Sequence, residues 1–242
     1  GEPVPAETHA DGVDFVSTPR AVLFGHHFTS IAGAAPIIGP AIAIVWGWAP
    51  AVVWVVLGSV AFGAVHDFAT LVLSVRHEGM SVGQISGRVL SPRVRTLFLL
   101  VIFFLIFLVI AVFARAIATL FVAQPGTVLP INFEILVALG MGCLCQVRRV
   151  RLLWPQAAAL VALYAMVYVG TKVPLSLAPL VGEEHQHLTW IVLLLVYSFV
   201  ASTLPVWVLL QPRDYINSHQ LFVGLGALVL GILVARPGMV AP

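Results

Sequence analysis

Seven runs of apolar residues, separated by shorter polar stretches, are the dominant pattern of the chain. Each run approaches the roughly 20 residues that an α-helix needs to cross the hydrocarbon core of a bilayer. The pattern therefore predicts an all-α protein, a polytopic bundle of transmembrane helices. The approximate limits of the predicted spans are 28 to 47, 51 to 75, 97 to 122, 131 to 147, 153 to 170, 188 to 210 and 217 to 235.

The first predicted span contains residues that interrupt a helix, namely Gly33, Pro36, Gly39 and Pro40. Proline removes a backbone donor and clashes with the preceding turn, so a continuous helix is not expected here. Backbone groups released by a break cannot face lipid and must be buried in protein or line a polar cavity. We therefore predict a broken first helix, whose glycines and prolines shape a substrate-binding site.

The segment before the first predicted span is polar. Residues 1–27 contain several prolines and carboxylates, they do not form a signal peptide, and the sequence does not begin with methionine. We expect a polar N-terminal segment over 1–27, a transmembrane domain over 28–242, and a chain that is a fragment of a longer protein.

Composition agrees with a membrane protein. Of the 242 residues, 60% are hydrophobic and 9% are charged, whereas an average soluble domain carries about 25% charged residues. The 12 Lys and Arg residues form no basic stripe with interleaved aromatics, so nucleic acid binding is not expected. Cys143 and Cys145 show neither disulfide nor zinc-type spacing. We expect contact with membrane lipid, no metal site, and no cofactor other than a coupling ion.

The basic residues predict an orientation, because short cytoplasmic loops collect Lys and Arg. Connections on the other side of the predicted bundle contain only Lys172. The N-terminus is therefore predicted to be cytoplasmic. The basic residues of the predicted cytoplasmic loops are Arg76, Arg88, Arg93, Arg95, Arg148, Arg149, Arg151 and Arg213.

Asp67 lies well inside the second predicted span, next to His66. A charge at this depth costs ~2.5 to 3.5 kcal/mol on insertion scales, so Asp67 is a candidate to bind a coupling proton or cation. His66 is the weaker candidate, because adjacent helical residues point about 100° apart and should not face one small site together. The alternative is a structural Asp67 paired with Arg115. Ser59, Gly63 and Asp67 are predicted to share one helix face that packs closely against a neighbour.

Two further spans carry candidate polar groups. Arg115, in the third predicted span, could bind a substrate carboxylate or could snorkel to the interface. In the sixth, Ser202 and Thr203 precede Pro205, and a proline kink there would free a carbonyl near both hydroxyls for a coupling cation. A tolerated kink without a ligand is the alternative. Residues 212–215, Pro-Arg-Asp-Tyr, are predicted to form a helix-terminating turn.

A histidine pair, His26 and His27, precedes the broken helix. The N-terminus of a half-helix offers free amides and a partial positive charge. Histidine changes its charge near neutral pH, so the pair could gate access or sense pH. An interfacial pair without a special role is the alternative. Ser30 could add a hydroxyl group to the same substrate site.

Five stretches of the chain, in order, resemble one known family. They are DGVDFV at 11–16, VLFGHHF at 22–28, IAGAAPIIGP at 31–40, GAVHDF at 63–68 and LPVWVLLQPRDY at 204–215. In these stretches the chain resembles the carbon starvation protein A family of bacterial peptide and pyruvate transporters. Members of that family begin with a further apolar helix and continue through additional spans, and some carry Gln in place of His66. The resemblance implies that this chain is the N-terminal portion of such a transporter.

The family resemblance implies a multi-pass protein of the bacterial inner membrane that imports small peptides or pyruvate when carbon is scarce. It implies coupling to H⁺, or alternatively Na⁺, and partnership with the remaining helices of the full-length protein. It also implies a relation to the amino acid, polyamine and organocation transporters, whose fold uses two broken helices. The segment 31–40 would then be one of the substrate-site helices.

Two other function classes are compared with this interpretation. A membrane-embedded sensor or scaffold would bind a metabolite without transporting it, and only a transport measurement separates it from a secondary active transporter. An enzyme is not expected, because the sequence contains no nucleophile with an evident base nearby and no zinc helix motif. The absence of a nucleotide-binding loop argues against an ATP-driven pump.

Overall fold

A computed structural model describes residues 4–12, 15–148, 153–236 and 238, and in these ranges the chain is helical without a β-strand. Arg149 and Arg151, which were predicted to lie in a cytoplasmic loop, are outside the described residues. The α-helices, in chain order, are α1 (Pro5–Thr8), α2 (Arg20–Ile31), α3 (Ala34–Ala43), α4 (Trp48–Gly58), α5 (Val65–Arg76), α6 (Val82–Val89), α7 (Pro92–Ala123), α8 (Val128–Arg148), α9 (Leu153–Lys172), α10 (Ala178–Val181), α11 (Glu183–Thr203) and α12 (Leu210–Ala235).

Five helical segments of the described chain are long and apolar enough to cross a membrane. This finding confirms an all-α protein built for a bilayer. The first and fifth predicted spans have no counterpart among the five segments, so the count of seven spans stays a prediction. The five segments are Trp48–Arg76, Pro92–Ala123, Pro125–Leu144, Glu183–Thr203 and Leu210–Ala235.

The chain forms two compact units. Unit 1 comprises Gly1–Pro19, His27–Ile102 and Leu221–Pro242, whereas unit 2 comprises Arg20–His26 and Phe103–Gln220. Helices α2, α7 and α12 each contribute residues to both units. A side chain is therefore assigned to a unit by its residue number and not by the helix that carries it.

The predicted break in the first helix is confirmed in unit 1. Helix α2 ends at Ile31, and Gly33, with φ −73° and ψ −167°, is the extended residue before α3. Pro40 lies inside α3 without ending it. The following turn depends on Gly47, whose φ of 124° is a conformation that other residues rarely adopt. Beyond this turn α4 packs against α3, as expected for a helical hairpin.

The second predicted span is a continuous helical segment with a π-helical turn at Ser59–Ala64, between α4 and α5. A π turn forms i to i+5 hydrogen bonds and holds more residues per turn than an α-helix. Residues four apart stay close to one face in a π turn as in an α-helix, so the prediction that Ser59, Gly63 and Asp67 share one closely packed face stays a prediction. A Cβ atom added at Gly63 would meet nothing within 4 Å.

Helix α6, in unit 1, begins with a complete capping box. The Ser81 hydroxyl accepts from the Gln84 amide, and the Gln84 side chain accepts from the Ser81 amide. These two bonds satisfy backbone donors that the start of a helix leaves free. Ile85 is almost fully buried, so α6 is fixed by packing as well as by its cap.

Two clusters of buried side chains join α8, α9, α11 and α12 in unit 2. One cluster joins Met141 of α8 to Ala159 and Leu163 of α9 and to Ile216 of α12. A second joins Ala138 of α8 to Ala201 of α11 and to Leu209. Helix α8 therefore packs against its neighbours on two faces.

The prediction of one span over 188–210 with a kink at Pro205 is wrong. Helix α11 ends at Thr203, and Leu204 adopts an extended conformation with φ −85° and ψ 145°. The residue before a proline avoids the α-helical region, because the proline ring clashes with its backbone. The segment 212–215, predicted as a helix-terminating turn, lies instead in the beginning of α12. Arg213 is accordingly a helical residue and does not belong to a loop.

We expect Gly142→Ala to destabilise unit 2. A Cβ atom at Gly142 would overlap the backbone carbonyl oxygen of Val208, so α8 would have to move away from the chain after Pro205. The expected loss is roughly 1 to 3 kcal/mol, typical of overpacking, measured as a lower thermal unfolding midpoint in detergent. Gly140→Ala is the matched control on the same helix, because nothing lies within 4 Å of its added Cβ. Equal midpoints for the two variants would contradict the close packing.

Candidate functional site

Unit 2 encloses a cavity of about 310 Å³ between α7, α8, α11 and α12. Apolar side chains make up most of its wall. Phe121 and Trp190 meet edge to face there, with ring centroids 4.9 Å apart. The polar side chains of the wall come from three helices and are Asn132, Glu134, Tyr197, Arg213 and Asn217.

Glu134 brings a carboxylate into this apolar surrounding. The Oε1 atom has less than 1 Å² of accessible area and no hydrogen-bond partner among the described residues. The side chain of Asn217 interacts with the same carboxylate, and the charges of Arg213 and Asp214 act on it. A buried carboxylate oxygen without a partner carries a desolvation cost. A proton or a ligand at Oε1 would relieve that cost.

Arg213 is held in place by neighbouring groups at the start of α12. Its Nη2 atom donates to Asp214 Oδ1 over 3.1 Å, and its Nη1 atom lies 3.5 Å from the Tyr197 hydroxyl of α11. Asp214 is buried, with 8% of its side chain exposed, whereas 31% of the Arg213 side chain is exposed. The guanidinium is therefore anchored on one side by Asp214 and keeps part of its surface at the cavity.

His26 completes this network from α2. Its Nδ1 atom lies 2.7 Å from Asp214 Oδ2, so Asp214 binds His26 with one oxygen and Arg213 with the other. Close contact between the helices allows this geometry. Gly25 packs so tightly on Tyr215 and Ser218 that an added Cβ would come within 3 Å of both. Glycine at position 25 thus lets α2 reach α12.

A second polar cluster lies where α9 meets α12. Gln156 is buried and its Nε2 atom lies 2.6 Å from His219 Nδ1. Ser218, which is fully buried, donates to the Tyr215 carbonyl oxygen. These bonds satisfy polar groups within the helix packing, and none of the four residues lines the cavity. We therefore interpret this cluster as structural.

The predicted coupling pair, Asp67 and His66, lies on α5 in unit 1. His66 Nδ1 is 3.2 Å from Asp67 Oδ1, so the two side chains meet despite their angular separation on the helix. This contact reveals no common binding site, so the expectation that the two side chains do not face one small site together stays a prediction. Both side chains are exposed within the described chain.

The other polar candidates are dispersed. In unit 2, the Ser202 and Thr203 hydroxyls donate to carbonyl oxygens of their own helix, at Phe199 and Val200. Arg115 is exposed, and its side chain makes no hydrogen bond or ion pair within the described part of unit 2. The structure therefore brings none of these three candidates to the cavity of Glu134.

The remaining candidates lie around the broken helix. His27 and Ser30, both exposed, belong to unit 1, so the histidine pair is divided between the two units. Gly33 lies at the break, and an added Cβ there would meet nothing within 4 Å.

Three of the predicted substrate-site residues of the broken helix line a second cavity, in unit 1. This cavity of about 550 Å³ is bordered by Pro36, Gly39 and Pro40 of α3. Ser59 lies on its opposite wall, together with aromatic rings of the α4 segment. Its lining is largely apolar, and it contains no charged side chain.

Sequence reasoning missed Glu134, whose Oε1 atom is buried without a hydrogen-bond partner among the described residues. The signal was weaker than for Asp67, since Glu134 is only the fourth residue of the fourth predicted span, whereas the segment Pro125–Leu144 of the structure puts it near the middle. Asn217 was missed for a different reason. Only the packing of α12 against α8 and α11 shows that this residue faces the Glu134 carboxylate.

Three observations define the class of this protein. It is a helical membrane protein with several long apolar helices and a broken first helix, and the ionisable side chains of Glu134 and Arg213 line one cavity among the helices. No set of three His, Cys, Asp or Glu side chains within the described ranges could hold a metal ion.

The chain belongs to the carbon starvation protein family, since the family pattern described as "Carbon starvation protein CstA" matches residues 1–242. It is 36% identical over 241 residues to the "Peptide transporter CstA" of Escherichia coli K12, and 36% identical over 250 residues to that of Mycobacterium tuberculosis H37Rv. It is 33% identical to the "Pyruvate/proton symporter BtsT" of Escherichia coli K12. No solved structure matches the chain.

The chain spans about a third of the length of these relatives. The alignments cover 98% of this chain but 34% of the Escherichia coli peptide transporter, 32% of the mycobacterial protein and 33% of the pyruvate symporter. The names of the relatives are those of transporters, which agrees with a role other than catalysis.

We expect His26→Ala to lower stability and His27→Ala to leave it unchanged. His26 contacts the buried carboxylate of Asp214, whereas its neighbour His27 is exposed. A hydrogen bond to a charged group contributes about 1.5 to 3 kcal/mol, so the His26 variant should unfold at a clearly lower temperature in detergent. The two variants make the same change at adjacent positions and control for each other. A larger loss for His27→Ala would contradict the network.

Proposed function

We propose that the protein containing this chain is a secondary active transporter that imports small peptides or pyruvate with the uptake of protons. The family of the chain supports this proposal, because its relatives are named a peptide transporter and a pyruvate/proton symporter. The single structural observation that carries it is the occurrence of Glu134 and Arg213 in one cavity among apolar helices. Ionisable residues in such surroundings are costly and mark substrate and proton pathways.

The substrate carboxylate is proposed to bind at Arg213. A guanidinium binds a carboxylate through two parallel hydrogen bonds, and Asp214 leaves part of this guanidinium exposed. The cavity volume of about 310 Å³ lies at the lower end of the range for small-molecule sites, which suits a compact solute. Tyr197 and Asn217 would add hydrogen bonds at the same wall.

The sequence-based candidates remain proposals beside this cavity. Asp67 with His66 is proposed to bind a coupling ion in unit 1, H⁺ in preference to Na⁺, and His26 with His27 to gate access. Ser202 and Thr203 are further proposed ion ligands. The proposed substrate-binding groups of the broken helix and the third span are Ser30, Gly33, Pro36, Gly39, Pro40 and Arg115.

The proposal also covers the membrane in which the protein lies, its orientation, its physiological role and its partners. We place the protein in the bacterial inner membrane, with the start of this chain on the cytoplasmic side, and assign it to the response to carbon scarcity. The broken first helix supports a relation to the amino acid, polyamine and organocation transporters. The other partners are the membrane lipid and the remaining helices of the full-length protein.

The proposal predicts gradient-driven uptake by the full-length protein in sealed proteoliposomes. Labelled pyruvate and labelled dialanine are supplied separately, with and without a gradient of one pH unit. We expect accumulation of at least one solute to about tenfold for one coupled proton, because one pH unit supplies about 1.4 kcal/mol, which equals a tenfold concentration ratio. Empty liposomes are the control. Binding of a solute without accumulation would favour the sensor or scaffold alternative.

We expect Arg213→Gln to reduce uptake of the transported solute by at least tenfold. The substitution removes the charged donors proposed to bind the substrate carboxylate, and a hydrogen bond to a charged group is worth about 1.5 to 3 kcal/mol. Arg236→Gln is the matched control, because Arg236 is exposed after the end of α12. Uptake rates are compared at equal protein incorporation. Normal uptake by Arg213→Gln together with a loss in Arg115→Gln would transfer the carboxylate role to Arg115.

A further inference from the structure

We propose that Glu134 binds the proton that accompanies the substrate, and that this proton offsets the charge that a substrate carboxylate brings to Arg213. The inference rests on the proposed transport function and names a residue for its coupling step. Sequence reasoning assigned coupling to other groups, whereas the structure puts this carboxylate in the same cavity as the proposed substrate guanidinium.

The surroundings of Glu134 Oε1 are the first step of the argument. This atom is inaccessible to solvent and has no hydrogen-bond partner in the described part of the chain. Neighbouring side chains at the cavity wall are mostly apolar, including those of Ile131 and Ile135 on the same helix. An ionised oxygen in such a place is poorly compensated. A bound proton neutralises it and converts the acceptor into a donor that can reach a ligand.

The count of charges in the network is the second step. Arg213 contributes one positive charge, and Asp214 and ionised Glu134 contribute one negative charge each. A carboxylate ligand adds one further negative charge, whatever the charge of His26, which contacts Asp214. Charges interact strongly where water is excluded. One proton on Glu134 removes one negative charge, so substrate and proton binding support each other.

The groups that face Glu134 come from every helix of the cavity. Helix α12 contributes Arg213, Asp214 and Asn217, and α11 contributes the Tyr197 hydroxyl. Helix α7 contributes only apolar side chains to the lining. On α9, the buried side chains that cluster with α8 are Ala159 and Leu163, which do not titrate. Among the described residues of this site, Asp214 provides the other carboxylate near Glu134. The two oxygens of Asp214 already bind Arg213 and His26.

The proposed step balances in protons and charge. On the side of higher proton concentration, the Glu134 carboxylate accepts one proton and becomes a carboxylic acid while the substrate carboxylate binds Arg213. On the opposite side, the substrate leaves, the negative charge of the network falls by one, and the carboxylic acid releases its proton to water. No oxidant, reductant or further reactant takes part.

The test is Glu134→Gln in the full-length protein, because glutamine resembles the protonated acid but cannot release a proton. The labelled probe is pyruvate or dialanine, whichever the wild-type protein accumulates. Two measurements are made in sealed proteoliposomes. The first is accumulation driven by one pH unit, and the second is exchange of external labelled probe for internal unlabelled probe without a gradient.

We expect the ratio of internal to external probe to fall from about ten in the wild type to about one in Glu134→Gln. The rate of exchange should stay close to that of the wild type. Substrate exchange requires binding and movement but no net proton transfer. Accumulation equal to that of the wild type would overturn the proposal. Loss of both accumulation and exchange would also overturn it, because Glu134 would then serve binding or folding.

Control variants separate coupling from folding. Glu183→Gln makes the same chemical change at an exposed position at the start of α11 and should accumulate the probe normally. Glu134→Asp keeps a titratable carboxylate and should accumulate the probe where glutamine does not. Failure of aspartate to restore any accumulation, with exchange retained, would argue against a proton-binding role. Because the wild type is measured beside the variants, failure of the transport function itself is recognised separately.

Discussion

The structure of unit 2 depends on one constraint, that a charged group among apolar helices must be paired or neutralised. Asp214 meets this constraint by binding Arg213 with one carboxylate oxygen and His26 with the other. Each bond has a consequence for packing. The first fixes the guanidinium at the beginning of α12, and the second requires α2 to approach α12 at Gly25. Breaking a buried pair on one side leaves an uncompensated charge, so these helices are energetically linked.

The same constraint explains why Glu134 differs from its neighbours. The buried polar groups around Gln156 and Ser218 have hydrogen-bond partners, as is usual in folded proteins. Glu134 Oε1 has none among the described residues, although its carboxylate lies close to a full charge. A proton or a ligand bound at this oxygen would offset its desolvation cost. The cavity thus combines an anchored cation with a carboxylate whose state can change.

Hydrophobic periodicity predicted the helical class and the break near Gly33, because apolar length and helix-breaking residues act locally. Details that depend on distant residues were not accessible in this way. The π turn at Ser59–Ala64, for example, has no motif in the sequence. The end of α11 before Pro205 could have been read from proline chemistry, but the spacing of apolar residues favoured a longer span. The contact between His26 and Asp214 joins residues 188 positions apart, and only the fold reveals it.

The π turn also has a consequence for the angular position of α5. A π turn holds more residues per turn than an α-helix, so each of its residues turns the chain by less than the about 100° of an α-helical residue. The direction in which the His66 and Asp67 pair points is therefore determined by the number of residues between Ser59 and Ala64. Deletion of a single residue there would restore regular winding upstream of the pair while preserving its sequence. The π turn thus sets the orientation of the His66 and Asp67 pair without any change in the residues of the pair itself.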